Sequence, residues 1–126
     1  MHRLINATRN SLAGYRQVFR DEAAFRFQCV ILLLIVPLAL WLARSLTEAA
    51  TLIGVWLLVL LAELGNSAIE AAIDRVSTKR HPLSAKAKDA GSAMVMTAMI
   101  IAALVWLGFL LDRFVTTQSN PTQALY

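Results

Sequence analysis

Apolar residues follow two different rhythms along this chain. Between residues 3 and 26 they recur among polar ones at helical spacing. Turned by about 100° per residue, Leu4, Ile5, Leu12, Tyr15, Phe19 and Ala23 share an arc of about 100°, with Arg9, Arg16 and Arg20 along one edge. That one-sidedness predicts an amphipathic helix over 3–26, lying in a bilayer interface with its arginines at the headgroup phosphates. Beyond it the apolar residues run together at 29–43, 49–62 and 93–111, the last being 19 residues without a charge. A helix needs roughly 20 apolar residues to cross a membrane. With their neutral flanks, the runs predict transmembrane helices over 28–46, 48–74 and 90–112. The expected fold is all-α and integral to the membrane: a surface helix plus three spans, one membrane domain over 1–126.

Breakers refine this outline. Gly14 weakens the surface helix, and Pro37 falls inside the first span, where neighbouring groups can satisfy a freed carbonyl. The stretch 77–86 reads as a polar, basic turn with Pro82 as its breaker. The polar segment 116–126 reads as a disordered tail. No internal repeat and no linker to a second domain is evident.

Composition supports a membrane protein. The chain is 58% hydrophobic and only 16% charged, with a mean hydropathy of +0.60; soluble domains carry about 25% charged residues. Five of the 12 Lys and Arg precede the first span, and five more (Arg75, Lys79, Arg80, Lys86, Lys88) lie between the second and third. The positive-inside rule therefore places the N-terminus and the 75–89 connection in the cytoplasm and the C-terminus in the periplasm. Trp41 and Trp106 then sit near the outer ends of their spans. The net charge of +4 reads as topology and attraction to anionic lipid, and no nucleic-acid surface is expected. The first 28 residues do not read as a secretory leader, and the lone Cys29 reads as packing. Small residues in spans two and three (Ala62, Gly65, Ala68; Gly91, Ala98, Ala102) suit close helix contacts, and a polar helix face that must be hidden from lipid argues for an oligomer.

The polar face is the candidate chemistry. Glu63, Asn66, Glu70 and Asp74 are spaced 3, 4 and 4 apart, within about 80° of one another around a helix, with Ser67 beside them. The face is about 16 Å long and Glu63 is its deepest member. An acidic side chain at that depth is costly and is a functional-site hypothesis by default. Asp21 and Glu22 before span one, and Lys86, Lys88, Asp89 and Ser92 at the start of span three, reach the same membrane level. Carboxylates clustered near cations suit a divalent metal with phosphate: Mg²⁺ takes one or two carboxylates and fills its octahedron with water and phosphate oxygens. No Walker loop, G-x-G-x-x-G or H-R-D motif is present. His2 and His81 are isolated, and Met94, Met96 and Met99 read as packing.

At these residues the sequence resembles the small bacterial membrane diacylglycerol kinases, a family of three-span, trimeric lipid kinases. ELGNSAIEAAIDR (63–75) is similar to the family signature E-x-x-N-S-A-I-E-x-x-x-D-R without a gap. AKDAGSA (87–93) is similar to the motif that opens the third span, and EAAFR (22–26) to the junction before the first. The likeness covers roughly residues 3–112.

The resemblance implies a homotrimer of the bacterial inner membrane, with sites near subunit interfaces, that phosphorylates the primary hydroxyl of diacylglycerol with ATP to give phosphatidic acid. By position, Glu63 is the base that takes the hydroxyl proton and Ser92 lies with it on the lipid side. Glu22 and Glu70 hold Mg²⁺ against the ATP phosphates. Asn66, Lys88 and Asp89 line the site, Lys88 countering phosphate charge, and Asp74 belongs to the nucleotide side. From the surface helix, Asn10 and Arg16 are nucleotide-side candidates, with Arg16 equally suited to anionic lipid. Asn6, Asn10 and Leu12 depart from the lysine and aromatics that proteobacterial members commonly carry there. Undecaprenol kinases share the architecture. A small proton- or cation-coupled transporter using Glu63, or an inactive assembly subunit, would also carry a buried acid. A transporter predicts polar groups through the full depth of the membrane, whereas here they stop at Glu63.

Overall fold

The computed structural model describes residues 1–119, which form four helices: α1 (His2–Asp21), α2 (Ala23–Leu42), α3 (Leu46–Val76) and α4 (Pro82–Ser119). The last three are each long and apolar enough to cross a membrane. The fold is therefore an all-α membrane architecture with an N-terminal helix.

Helix boundaries differ from the hydropathy outline at every element. The first span, expected over 28–46, ends at Leu42 because Ala43 is extended and Ser45 caps the next helix. The second, expected over 48–74, runs from Leu46 to Val76. The expected surface helix over 3–26 stops at Asp21, because Glu22 adopts an extended backbone (φ −110°, ψ 111°). Residues 23–26 instead open α2. Ala23 stays in phase with the apolar face of α1, so periodicity alone runs through the break. Arg26 secures the break by donating from Nη1 to the carbonyls of Phe19 (3.0 Å) and Arg20 (2.7 Å); such carbonyls lack partners where a helix ends.

Pro82, expected to break the 77–86 turn, is the first residue of α4. Proline fits that position because its missing N–H would have no helical acceptor there. The connection shrinks to 77–81, and Lys86, Lys88 and Asp89 enter the first turns of α4. At its other end α4 continues to Ser119, so residues 116–119, expected in a disordered tail, are helical. The hydroxyls of Thr116 and Thr117 donate to the carbonyls of Asp112 (2.6 Å) and Arg113 (2.7 Å). The remainder of that expected tail, 120–126, lies outside the described residues.

α3 begins with a cap: Ser45 Oγ accepts from the Glu48 N–H (3.2 Å), and Glu48 reaches back to accept from the Arg44 N–H (2.7 Å). α3 is the central helix. Val55, Val59 and Ala62 pack on Ala98 and Ala102 of α4, and Leu52 packs on Ala39 and Leu42 of α2. Between lipid-immersed helices the gain comes from close packing, which the alanines permit. Trp106, expected in an interfacial belt, packs against both clusters and donates its indole N–H to the Leu52 carbonyl (3.2 Å). Arg44 pairs with Asp112 at this same end (3.8 Å). α1 buries none of its residues. Leu4, Ile5, Leu12, Tyr15 and Phe19 stay exposed on the chain, as suits a face for lipid.

Candidate active site

α3 has 31 residues, so it rises about 46 Å, well beyond the ~30 Å hydrocarbon layer. Measured from Ala49, where its apolar run begins, ~30 Å of rise ends near Ile69. A layer of that thickness starting at Ala49 would enclose Glu63, reach its edge at Glu70 and leave Asp74 outside. The four acidic-face residues thus occupy graded depths, and each meets a different neighbour.

Glu63 is buried, 6% exposed. Its Oε2 accepts a hydrogen bond from Nε2 of Gln28 on α2 (3.2 Å), a side chain that is also 6% exposed. The Gln28 backbone carbonyl accepts from Trp56 Nε1 (3.0 Å), which ties α2 to α3 beside the carboxylate.

One turn on, half-buried Asn66 donates from Nδ2 to Oε1 of half-buried Glu70 (3.3 Å). Its Oδ1 is buried without a hydrogen-bond partner and lies against Gly91 of α4. A Cβ at Gly91 would overlap that oxygen and would come within 3.6 Å of Ile69 Cδ1. Only glycine lets the Asn66 carboxamide rest on the α4 backbone there.

Outermost, Lys88 Nζ of α4 donates to Asp74 Oδ1 at 2.7 Å, with both side chains partly exposed. This pair floors a cleft of about 460 Å³ at the α3–α4 connection. Lys79, Arg80 and His81 also line it, with Ser77, Thr78 and Ser84 supplying hydroxyls.

The remaining candidates are more scattered. Glu22 is half-buried and, with Asp21, lines a smaller cleft of about 360 Å³ between α1 and α3, against Ser67, Ala68 and Ala71. Arg20 donates to Asp21 from Nε (2.7 Å) and holds its carboxyl below the usual carboxylate range. Glu22 and Glu70 thus lie against different neighbours of α3, and no hydrogen bond links either to the other's partners. Among the described residues, no group of three or more His, Cys, Asp or Glu could hold a metal ion. Two carboxylates nonetheless suit Mg²⁺, which draws its other ligands from water and phosphate. Asn10, Arg16, Asp89 and Ser92 are exposed on the single chain. Arg16 lines an apolar pocket of about 590 Å³ with Tyr15, Phe19, Phe25 and leucines of α3.

Two groups of residues went unnoticed in the sequence. Gln28 sat in the flank of an apolar run, although Phe25, Gln28, Ala39 and Leu42 share one buried seam of α2. That spacing was the available signal. Lys79 and Arg80 bear only on topology in the sequence and His81 reads as isolated; nothing in their pattern reveals that they line one cleft with Asp74 and Lys88.

The sequence model of the family described as prokaryotic diacylglycerol kinase matches residues 9–110. A diacylglycerol kinase of Pseudomonas aeruginosa is 48% identical over 111 residues, 88% of this chain and 90% of the relative. A diacylglycerol kinase of Haemophilus influenzae is 44% identical over 107 residues, 85% and 91% of the two chains. One from Escherichia coli is 42% identical over 112 residues, 89% and 92%.

Proposed function

The chain belongs to the prokaryotic diacylglycerol kinase family, and on that premise we propose how its α3 face carries out ATP-dependent phosphorylation of diacylglycerol. One observation carries the reading: acidic and amide groups descend one helix face from water to hydrocarbon, ending on a buried Glu63. The depth gradient matches a reaction between a water-soluble donor and a membrane-bound acceptor.

Glu63, at hydrocarbon depth, takes the proton of the lipid's primary hydroxyl. The freed oxygen forms its bond to the γ-phosphorus as the bond to the β–γ bridging oxygen breaks, and that electron pair leaves on ADP. Such transfers need positioning and charge neutralisation more than covalent chemistry from the protein. The basic cleft over Asp74 and Lys88 is the place for the nucleotide, with Lys79, Arg80 and Lys88 countering its phosphates. Glu70, steadied by Asn66, and Glu22 are the carboxylates suited to Mg²⁺, which when bound neutralises phosphate charge and orients the γ-phosphoryl group. Asp89 belongs to the nucleotide side and Ser92 to the lipid side.

A single chain keeps Glu22 and Glu70 apart against different neighbours, and it leaves Asp89 and Ser92 exposed. Both features support a homotrimer in which neighbouring subunits complete each site. The charge asymmetry supports an inner-membrane orientation with the N-terminus and residues 75–89 in the cytoplasm.

The test offers purified protein labelled ATP and Mg²⁺ with diacylglycerol or undecaprenol in separate mixed micelles. Labelled phosphatidic acid is the expected product, and label on undecaprenol alone would reassign the lipid. Glu63→Gln should lose turnover while still binding ATP; full activity in that variant excludes Glu63 as the base.

A further inference from the structure

Gln28 stands outside the 22–26, 63–75 and 87–93 motifs, yet it makes the only hydrogen bond that Glu63's side chain has among the described residues. We infer that Gln28 is a positioning residue for Glu63, holding the carboxylate in place before proton transfer and serving its protonated form afterwards. The inference rests on Glu63 being the base.

Three observations converge. The pair is buried on both sides, at 6% exposure each, so the 3.2 Å contact is shielded from bulk water within the chain. Gln28 is itself held by packing, because it lies in the buried seam of α2 with Phe25, Ala39 and Leu42. Its Oε1 is buried with no hydrogen-bond partner, an uncommon and costly state for a polar atom. A carboxamide carries a donor and an acceptor on one freely turning group. The donor suits an ionised carboxylate. Once the lipid hydroxyl has given its proton to Glu63, a half-turn of the carboxamide presents Oε1 to the new carboxyl O–H. Gln28 neither gains nor loses a proton, and it adds no charge at that depth. The vacant acceptor then has an occupant in the second half of the reaction.

The experiment is a double-mutant cycle on the full-length protein in mixed micelles, using Gln28→Met, Glu63→Gln and the pair, with turnover normalised to folded protein. Gln28→Met keeps length and apolar volume and removes both polar groups. It should lower kcat about 10–100-fold, the range of a hydrogen bond to a charged group, with KM for MgATP unchanged. In the Glu63→Gln background it should change the residual turnover by less than about 2-fold, because residues acting through one another are not additive. An equal fold-loss in both backgrounds overturns the inference. Full turnover in Glu63→Gln alone would instead remove the base assignment, so the two failures are distinct. Trp56→Phe is the control for packing: it frees the Gln28 backbone carbonyl and leaves the carboxamide, so kcat should hold. A loss in Trp56→Phe matching that of Gln28→Met would reduce Gln28 to a structural residue.

Discussion

Replacing Gly91 with alanine tests the site through a single methyl group. The added Cβ would overlap Asn66 Oδ1, with Asn66 Cγ at 3.4 Å and Ile69 Cδ1 at 3.6 Å. Either α4 moves away or Asn66 turns. Separating the helices would loosen Val59 and Ala62 against Ala98 and Ala102, and overpacking that shifts backbone costs about 1–3 kcal/mol. Turning a carboxamide off its rotamer costs about 0.5–1.5 kcal/mol. Asn66 therefore yields first, and its donor to Glu70 goes with it. Stability should fall by at most about 1 kcal/mol, since alanine regains about 0.5–1 kcal/mol over glycine inside a helix. Turnover should fall more, about 10–100-fold, with a raised KM for MgATP, because a hydrogen bond to a carboxylate is lost from the proposed metal ligand. Coupled ADP-release kinetics and unfolding in mixed micelles measure the two effects separately. Adding Asn66→Ala to Gly91→Ala should recover the stability and none of the activity. Gly65→Ala is the control: its Cβ would meet only the Met94 methyl at 2.9 Å, the end of a flexible side chain that can swing aside. Full turnover in Gly91→Ala, or a double variant no more stable than the single one, would refute the reasoning.

Two further predictions separate chemistry from packing. Lys88→Met removes a partly exposed ion pair with Asp74, worth about 0–1 kcal/mol, so the unfolding midpoint should barely move; MgATP turnover should nevertheless drop about 10-fold or more, read in the same ADP-release assay. Leu52→Ala should do the reverse, costing about 2–5 kcal/mol of unfolding free energy at a fully buried position while kcat per folded molecule is retained.

The acidic face was legible in the sequence because it depends only on helical spacing within one continuous element, α3. Glu63, Asn66, Glu70 and Asp74 keep their order and relative depth whatever surrounds that helix. What each one touches depends on α2 and α4, and their registers follow from events that hydropathy does not encode. Pro82 begins a helix, which brings Lys88 to Asp74 and Gly91 to Asn66. Glu22 interrupts one, which sets the phase of α2 and places Gln28 on Glu63. An extended residue between two helices in matching phase leaves no mark on a periodicity plot. A polar residue beside an apolar run looks like a boundary until the packing seam is known.

The Arg26 clamp also bears on the order in which the molecule is built. The last carbonyls of α1 receive their partners from a side chain that belongs to the next helix. A chain that has been released only to residue 21 lacks that cap, and its final turn is left to fray. The turn closes when the chain reaches residue 26. α1 is therefore completed only by the first turn of α2, and Glu22, held between them, takes its position in that same step.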